Sequence, residues 1–127
     1  MATGMSAYLA DSLLNALGNN TAYAATNVYV QLHIGDPSAA GTDNPATETT
    51  RKAVSFASSS NGSISSDANV TWTNISGSQD ATFFTAWDSL TGGNFLFSGT
   101  ITGNPYTAGD TYTISSGSFV TSLTIAS

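Results

Sequence analysis

The sequence predicts a mainly β fold: an antiparallel β-sandwich of about seven short strands, jelly-roll or immunoglobulin-like, with one N-terminal α-helix. After the helix, short runs of alternating apolar and polar residues are separated by turn residues. Only 8% of the residues are charged, and the abundant Ser, Thr and Asn favour strands and turns over long helices. A length of 127 residues suits one core. We therefore expect a single β-sandwich domain over residues 1–127.

The helix is predicted at about residues 5–17, where apolar residues recur every four positions. The stripe consists of Met5, Leu9, Leu13 and Leu17. Gly18 follows at the position where glycine commonly ends a helix. An apolar stripe of this kind must be buried, so it packs either on the sheet that follows or on a neighbouring subunit.

The clearest strand runs from Asn27 to Ile34, because its side chains alternate with a period of two. The apolar face carries Val28, Val30, Leu32 and Ile34. The more polar face carries Tyr29, Gln31 and His33. Pro37 lacks a backbone donor and ends the pattern. We expect Asp36–Thr50, which is rich in Gly, Pro, Asp and Thr, to form a long surface loop.

Six shorter strands are predicted in the rest of the chain. They are Lys52–Ala57, Asn69–Ile75, Ala81–Asp88, Phe95–Thr102, Thr111–Ile114 and Phe119–Ile125. Ser58–Asp67 is polar and rich in turn residues, so it is interpreted as a loop. Thr91–Asn94 contains adjacent glycines and predicts a tight hairpin turn. Trp72 and Trp87 alternate in phase with apolar neighbours and are expected in the core.

Composition excludes several classes of function. The net charge is −6, and Arg51 and Lys52 are the only basic residues. Two adjacent bases cannot displace enough counterions to bind nucleic acid or an anionic membrane. The absence of cysteine excludes disulfides and thiolate sites. The sequence shows neither a membrane-spanning run nor a secretory signal, so we expect synthesis in the cytoplasm.

The sequence indicates no catalytic, cofactor or metal site. His33 is the only histidine, and a zinc site or a nucleophile needs partners that the sequence does not offer. We therefore expect His33 to have a structural role. Nearly all the carboxylates lie in predicted turns, where Asp caps its own backbone. Whether several of them gather to bind Ca²⁺ stays open, since no EF-hand spacing is present.

Residues for contact with other subunits are easier to nominate. Tyrosine suits interfaces because its ring is apolar and its hydroxyl is polar. The candidates are Leu9, Leu13, Tyr8, Tyr23, Tyr29, Arg51, Lys52 and Tyr106. Arg51 and Lys52 pair either with acids of a neighbouring subunit or with Glu48 of the same loop. In an alternative interpretation, exposed aromatic residues stack on sugar rings.

Several segments, taken in order, resemble a known group of proteins. They are Leu13–Leu17, Val28–Pro37, Ala39–Thr42, Thr50–Lys52, Val70–Trp72, Ala86–Leu96 and Thr107–Thr111. The most specific are the LHxGDP pattern at Leu32–Pro37 and the WxxLTGGxFL pattern at Trp87–Leu96. This order is similar to that of small tailed-phage virion proteins of the tail fibre or minor tail protein type. Met1–Gly4 departs from it as a short extension before the usual start.

The resemblance implies a non-enzymatic structural protein of a tailed bacteriophage virion, associated with the tail and made in the host cytoplasm. Its partners would be other virion proteins, of the tail or the major capsid protein, and further copies of itself in a homo-oligomer. One alternative is a capsid decoration or cement protein that stabilises the head lattice. Another is a carbohydrate-binding module that reads the receptor.

Overall fold

The structure is a computed structural model that describes residues 3–126. Met1, Ala2 and Ser127 lie outside the described residues, so the predicted extension Met1–Gly4 and the predicted domain 1–127 are described only in part. The described part contains one helix, α1 (Ala7–Gly18), and eight strands. The strands are β1 (Val28–His33), β2 (Lys52–Val54), β3 (Ser63–Ser65), β4 (Val70–Trp72), β5 (Phe83–Trp87), β6 (Phe95–Thr100), β7 (Tyr112–Ile114) and β8 (Val120–Ser122).

Helix α1 begins where the side chain of Ser6 accepts a hydrogen bond from the N–H of Leu9, at 3.0 Å. The N–H of Ser6 itself donates to the carbonyl of Leu96 in β6, at 2.8 Å, which fixes the start of the helix on the sheet. The predicted helix is confirmed, beginning two residues later than expected. The role predicted for Gly18 was wrong, because Gly18 is the last helical residue and Asn19 is the C-cap.

The strands form one four-stranded antiparallel sheet, in the order β2-β1-β5-β6, and two antiparallel ribbons, β3–β8 and β4–β7. This confirms the predicted mainly β, antiparallel fold with an N-terminal helix. The additional strand is β3, which lies in the segment Ser58–Asp67 that was expected to be a loop. A strand of three residues with one apolar side chain, Ile64, is too short to show a period of two.

The core lies between the four-stranded sheet and the two ribbons. The register pairs Val30 with Ala86 and Leu32 with Phe84, so their side chains share one face of the sheet. The ribbons and the segments beside them bury Val70, Trp72, Tyr112, Ile114 and Phe119 against that face. This is a sandwich-like arrangement, but the layer opposite the sheet is split into two ribbons and does not close.

The segment 36–50 pairs with the edge of β1 that β2 leaves free. The N–H of Ile34 donates to the carbonyl of Asn44 at 2.9 Å, and the N–H of Ala46 donates to the carbonyl of Leu32 at 3.1 Å. Because β2 covers only the first half of β1, these backbone groups would otherwise lack partners within the sheet. The predicted long surface loop over Asp36–Thr50 is confirmed, and its pairing with β1 is the feature that the sequence did not predict.

The same segment covers the more polar face of the sheet. Gly41 has a positive φ of 73° and lies against the ring of Phe95, where a Cβ atom would come within 2.7 Å of the ring. Beneath the segment, His33 is 1% exposed and Thr85 is 0% exposed. The sheet is thus buried on both faces over much of its area, although the alternation in β1 predicted one apolar and one polar face.

No helix in the described range, residues 3–126, is both long and apolar enough to cross a lipid bilayer.

Candidate assembly surface

An apolar groove runs between α1, the edge of the sheet and the β3–β8 ribbon, with a volume of about 330 Å³. Its apolar lining includes Met5, Leu9, Leu13, Val28, Phe56 and Leu123. We call it the helix groove. None of the described residues that line it is charged. An uncharged, open concavity of this size on a protein of net charge −6 is the surface best suited to receive an apolar partner.

The apolar residues of α1 become more exposed towards the end of the helix. Leu9 is 8% exposed and packs in the core, while Leu13 is half-buried against it. One helical turn further, Leu17 is 84% exposed, and the neighbouring Leu14 is 63% exposed. The Ser6 cap and its bond to β6 hold most of Leu9 in the chain's own core, so only its small exposed part, which lines the helix groove, could contact another subunit as predicted. The end of the helix supplies the free apolar surface instead.

The C-terminal segment adds apolar side chains on the other side of the helix groove. Leu123 lines the groove and Ile125 lies close to Gly62, which also lines it. Both Leu123 and Ile125 are 54% exposed. The helix and the C-terminal segment therefore present large apolar side chains on both sides of the same concavity.

Tyr8 and Tyr23 form an aromatic pair beside the helix groove. Their ring centroids are 6.4 Å apart and the rings meet edge to face at 76°. Tyr8 is 42% exposed, whereas Tyr23 is half-buried and lines the groove. Burial raises the pKa of Tyr23, and the charges of Tyr8 and Asp88 raise it further, so its hydroxyl is neutral at neutral pH. Both residues are placed as the prediction of surface contact requires.

Arg51 is engaged inside the chain. Its Nη1 donates to the carbonyls of Ser89 and Gly92, each at 2.7 Å, and its Nε donates to the side chain of Gln31 at 3.2 Å. Its guanidinium carbon lies 4.2 Å from the ring centroid of Trp87. Burial lowers the pKa of Arg51, while the charge of Asp88 opposes the shift. Arg51 therefore fixes the β5–β6 turn on the sheet and covers the indole of Trp87.

Lys52 and Tyr29 are half-buried on neighbouring strands. Lys52 lies opposite Val30 in the register, and Tyr29 lies opposite Trp87. Burial would raise the pKa of Glu48, but hydrogen bonds from the N–H groups of Ser76 and Thr50, together with the charge of Lys52, hold it below its usual range. The charge of Lys52 is the smallest of these influences, so the pairing of Lys52 with Glu48 considered from the sequence stays a prediction.

Tyr106 is not at the surface, and its nomination for surface contact was wrong. It is 6% exposed, and its ring centroid lies 4.9 Å from that of Tyr112. The N–H of Tyr106 donates to the carbonyl of Gln79, and this short pairing brings the ring into the core. Its hydroxyl is buried without a hydrogen-bond partner. Burial raises the pKa of Tyr106, and the charges of Glu48 and Asp80 add to the shift.

His33 is held by hydrogen bonds at both ring nitrogens. Nδ1 lies 2.8 Å from the carbonyl oxygen of Asp43, and Nε2 lies 2.9 Å from Oγ1 of Thr85. Neither partner is a carboxylate, so the arrangement lacks the pairing of a general base with an acid. Burial lowers the pKa of His33, against smaller opposing contributions from hydrogen bonds with the backbone of Asp43 and Asn44. This environment agrees with the structural role expected for His33.

Within residues 3–126, no group of three or more His, Asp or Glu side chains is placed to hold a metal ion. The two indoles also lack an open face for stacking on a sugar, since Trp72 is 1% exposed and Trp87 lies under Arg51. The arrangement of the described side chains favours contact with other proteins through the helix groove and its rims.

Comparison with known proteins gives one family. A family model described as podophage GP4 fiber I protein gp80 (Gp80) matches residues 4–122 of the chain. The matched range contains α1 and all eight strands of the described structure. A comparison with curated proteins finds no match.

Proposed function

Since the chain belongs to the Gp80 family of podophage fiber proteins, we propose that it is a non-enzymatic, tail-associated structural protein that acts through protein–protein assembly. Family membership supports a virion protein of the tail fibre type, and the match over residues 4–122 is the observation that carries the proposal. The helix groove supplies a physical means of assembly.

The contact is proposed to form where apolar side chains are already exposed. Burying a leucine side chain fully contributes about 1.5–3 kcal/mol, and Leu14, Leu17 and Leu123 are each more than half exposed. Tyr8 adds an aromatic ring at the same surface. We propose that this surface contacts other virion proteins and further copies of the chain in a homo-oligomer.

Location in the particle separates the tail role from the alternative of a capsid decoration protein. The experiment labels the chain in purified virions with a specific antibody and measures its copy number against the major capsid protein by quantitative mass spectrometry. We expect label on the tail and a copy number far below that of the capsid protein. Label spread over the head, with a copy number comparable to that of the capsid protein, would overturn the tail assignment.

Self-association is tested with two exposed leucines. Leu17→Asp places a charge at the free end of α1, where Leu17 is 84% exposed. Leu90→Asp makes the same change in the β5–β6 turn, where Leu90 is 58% exposed. We expect sedimentation to show an oligomer for the wild type and the Leu90 variant, and a monomer for the Leu17 variant. Dissociation by both substitutions or by neither would contradict the proposed surface.

We also propose that the chain folds as the single domain predicted over residues 1–127 and is made in the host cytoplasm. One core cluster includes residues from α1, from the sheet and from the β4–β7 ribbon, together with Phe119 directly before β8, which supports a single folding unit. Urea unfolding followed by circular dichroism and by tryptophan fluorescence tests this proposal. Coincident transitions are expected, and two separate transitions would contradict it.

A further inference from the structure

The hydrogen bonds around His33 have only one consistent direction. The carbonyl of Asp43 can only accept, so Nδ1 of His33 carries the hydrogen that points to it, across 2.8 Å. In a neutral ring, Nε2 then accepts from the hydroxyl of Thr85, at 2.9 Å. Thr85 Oγ1 in turn accepts from Nε1 of Trp87, at 2.7 Å, because an indole N–H can only donate. While His33 is neutral, each donor and each acceptor in this series of hydrogen bonds has a partner.

A proton on Nε2 breaks this arrangement. Nε2 would become a donor, and the Oγ1 atom of Thr85 would then face two donors, from His33 and Trp87. The hydroxyl hydrogen of Thr85 would lose its acceptor at a site where Thr85 is 0% exposed. The protonated ring would also carry a charge at a position that is 1% exposed.

None of the hydrogen bonds to the His33 ring comes from a charged side chain. In β5, which packs against His33, Phe83–Trp87 contains no titratable residue. In the covering segment, Asp43 accepts from the hydroxyl of Ser38 through its carboxylate. The other titratable residues of β1, of the covering segment and of the strand ends nearby are Tyr29, Asp36, Glu48, Arg51, Lys52 and Asp88. Burial lowers the pKa of His33, and only hydrogen bonds with the backbone of Asp43 and Asn44 oppose this shift.

We propose that His33 is a proton-sensitive latch. When neutral, it holds the segment 36–46 against β1 through the Asp43 carbonyl and anchors Thr85 and Trp87 of β5. When protonated, its Nδ1–H still donates to the Asp43 carbonyl, but the buried charge and the unsatisfied hydroxyl of Thr85 favour a state in which the segment 36–46 moves away and exposes the ring to water. The edge of β1 at Leu32 and Ile34 then loses its partners Ala46 and Asn44. The latch concerns the response of the fold to acid, and it stands independently of the proposed assembly surface.

The direction of the pH effect follows from burial. Burial lowers the pKa of His33 from its usual 6.5 while the segment is closed, and in the open state the ring is expected to return to about 6.5. The open state therefore binds more protons, and the closed state is favoured fully only above about pH 6.5. Below that pH, the ratio of open to closed molecules rises by up to about tenfold per pH unit, until the closed-state pKa is reached.

NMR tests the latch on the wild-type protein, because the chain has 1 histidine and its ring signals are unambiguous. We expect the hydrogen on Nδ1 at neutral pH and a titration midpoint below 6.5. Protection of the Ile34 and Ala46 amides from hydrogen exchange should fall by up to about tenfold per pH unit below pH 6.5. The Ala57 amide, which donates to the carbonyl of Ser65 and not to the segment 36–50, is the internal control. A hydrogen on Nε2, a midpoint at or above 6.5, or unchanged protection of Ile34 and Ala46 would overturn the proposal.

Two substitutions give independent readouts. His33→Asn keeps a donor near the position of Nδ1 but cannot titrate, so the pH dependence of Ile34 and Ala46 protection should disappear. Thr85→Val keeps the side-chain shape and removes the hydroxyl that donates to Nε2, so the His33 midpoint should rise. If the bond between His33 and Thr85 has only a structural role, Thr85→Val will lower the stability of the protein without changing the titration midpoint of His33. That result would also overturn the latch.

Discussion

Arg51→Met tests whether Arg51 stabilises the fold from within. Methionine keeps a flexible apolar stem of similar size but lacks the guanidinium. The substitution deletes the hydrogen bonds to the carbonyls of Ser89 and Gly92 and to Gln31, together with the stacking on Trp87. Each hydrogen bond contributes about 1 kcal/mol net, and stacking of a cation on an indole about 0.5–1 kcal/mol.

The guanidinium is partly exposed, so these values are reduced by solvent screening. Arg51→Met is therefore expected to lower the free energy of unfolding by about 2–3 kcal/mol. For 127 residues, the entropy of unfolding is on the order of 0.27 kcal/mol/K. The loss corresponds to a drop in Tm of about 7–11 °C. Thermal and urea unfolding, followed by circular dichroism, measure both quantities.

Lys52→Met is the matched control, because it removes the same charge from the adjacent residue. It should cost less than about 1 kcal/mol, as expected for a half-exposed lysine near an acid. The emission of Trp87 should shift to the red only in Arg51→Met, since Trp72 is buried in the core in both variants. Equal losses of stability in the two variants would refute the internal role of Arg51 and return it to the candidates for intermolecular contact.

Two further substitutions probe the turn and the core. Gly93→Ala should lower the free energy of unfolding by about 2–4 kcal/mol, and Gly92→Ala by about 1–2 kcal/mol, as measured by urea unfolding. Both glycines have positive φ, but only at Gly93 would an added Cβ atom meet a neighbour, the Asp88 carboxylate, at 2.5 Å. Equal costs would show that the clash is relieved without penalty. Tyr106→Phe should leave the urea midpoint unchanged or raise the stability by about 1–2 kcal/mol, because the deleted hydroxyl is buried without a partner. A loss above about 1 kcal/mol would indicate a bound water at that hydroxyl.

The elements predicted correctly are those that local sequence determines. The stripe of α1 and the alternation in β1 each lie within one element. The two glycines of Thr91–Asn94 have the positive φ values expected, 63° and 76°, although the connection between β5 and β6 is the longer loop 88–94 and not a tight turn. Trp72 is also in the core as predicted. In each case the pattern and the structure depend on neighbouring residues in the sequence.

The errors arise where distant segments meet. His33 was placed on the more polar face, yet the segment 36–50 covers it there and supplies the Asp43 carbonyl as a hydrogen-bond partner. Tyr106 was nominated for the surface because tyrosine often lies there, but its pairing with Gln79 turns it inward. The period of the pattern indicates which side chains share a face of the strand. It does not record which other segment will cover the polar ones.

The sequence analysis missed the helix groove for the same reason, and the composition of the groove explains why it is proposed as the assembly surface in place of the basic residues. Its walls come from α1, β1, the residues after β2, and the β3–β8 ribbon, so no single stretch of sequence reveals it. The basic residues, by contrast, were conspicuous in the sequence, and the structure engages Arg51 within the chain. Two copies that each carry a net charge of −6 repel one another. A contact that buries only uncharged walls avoids the cost of desolvating charges on top of that repulsion. The proposed association therefore depends on apolar burial, for which the helix groove and the exposed leucines beside it are the proposed surface.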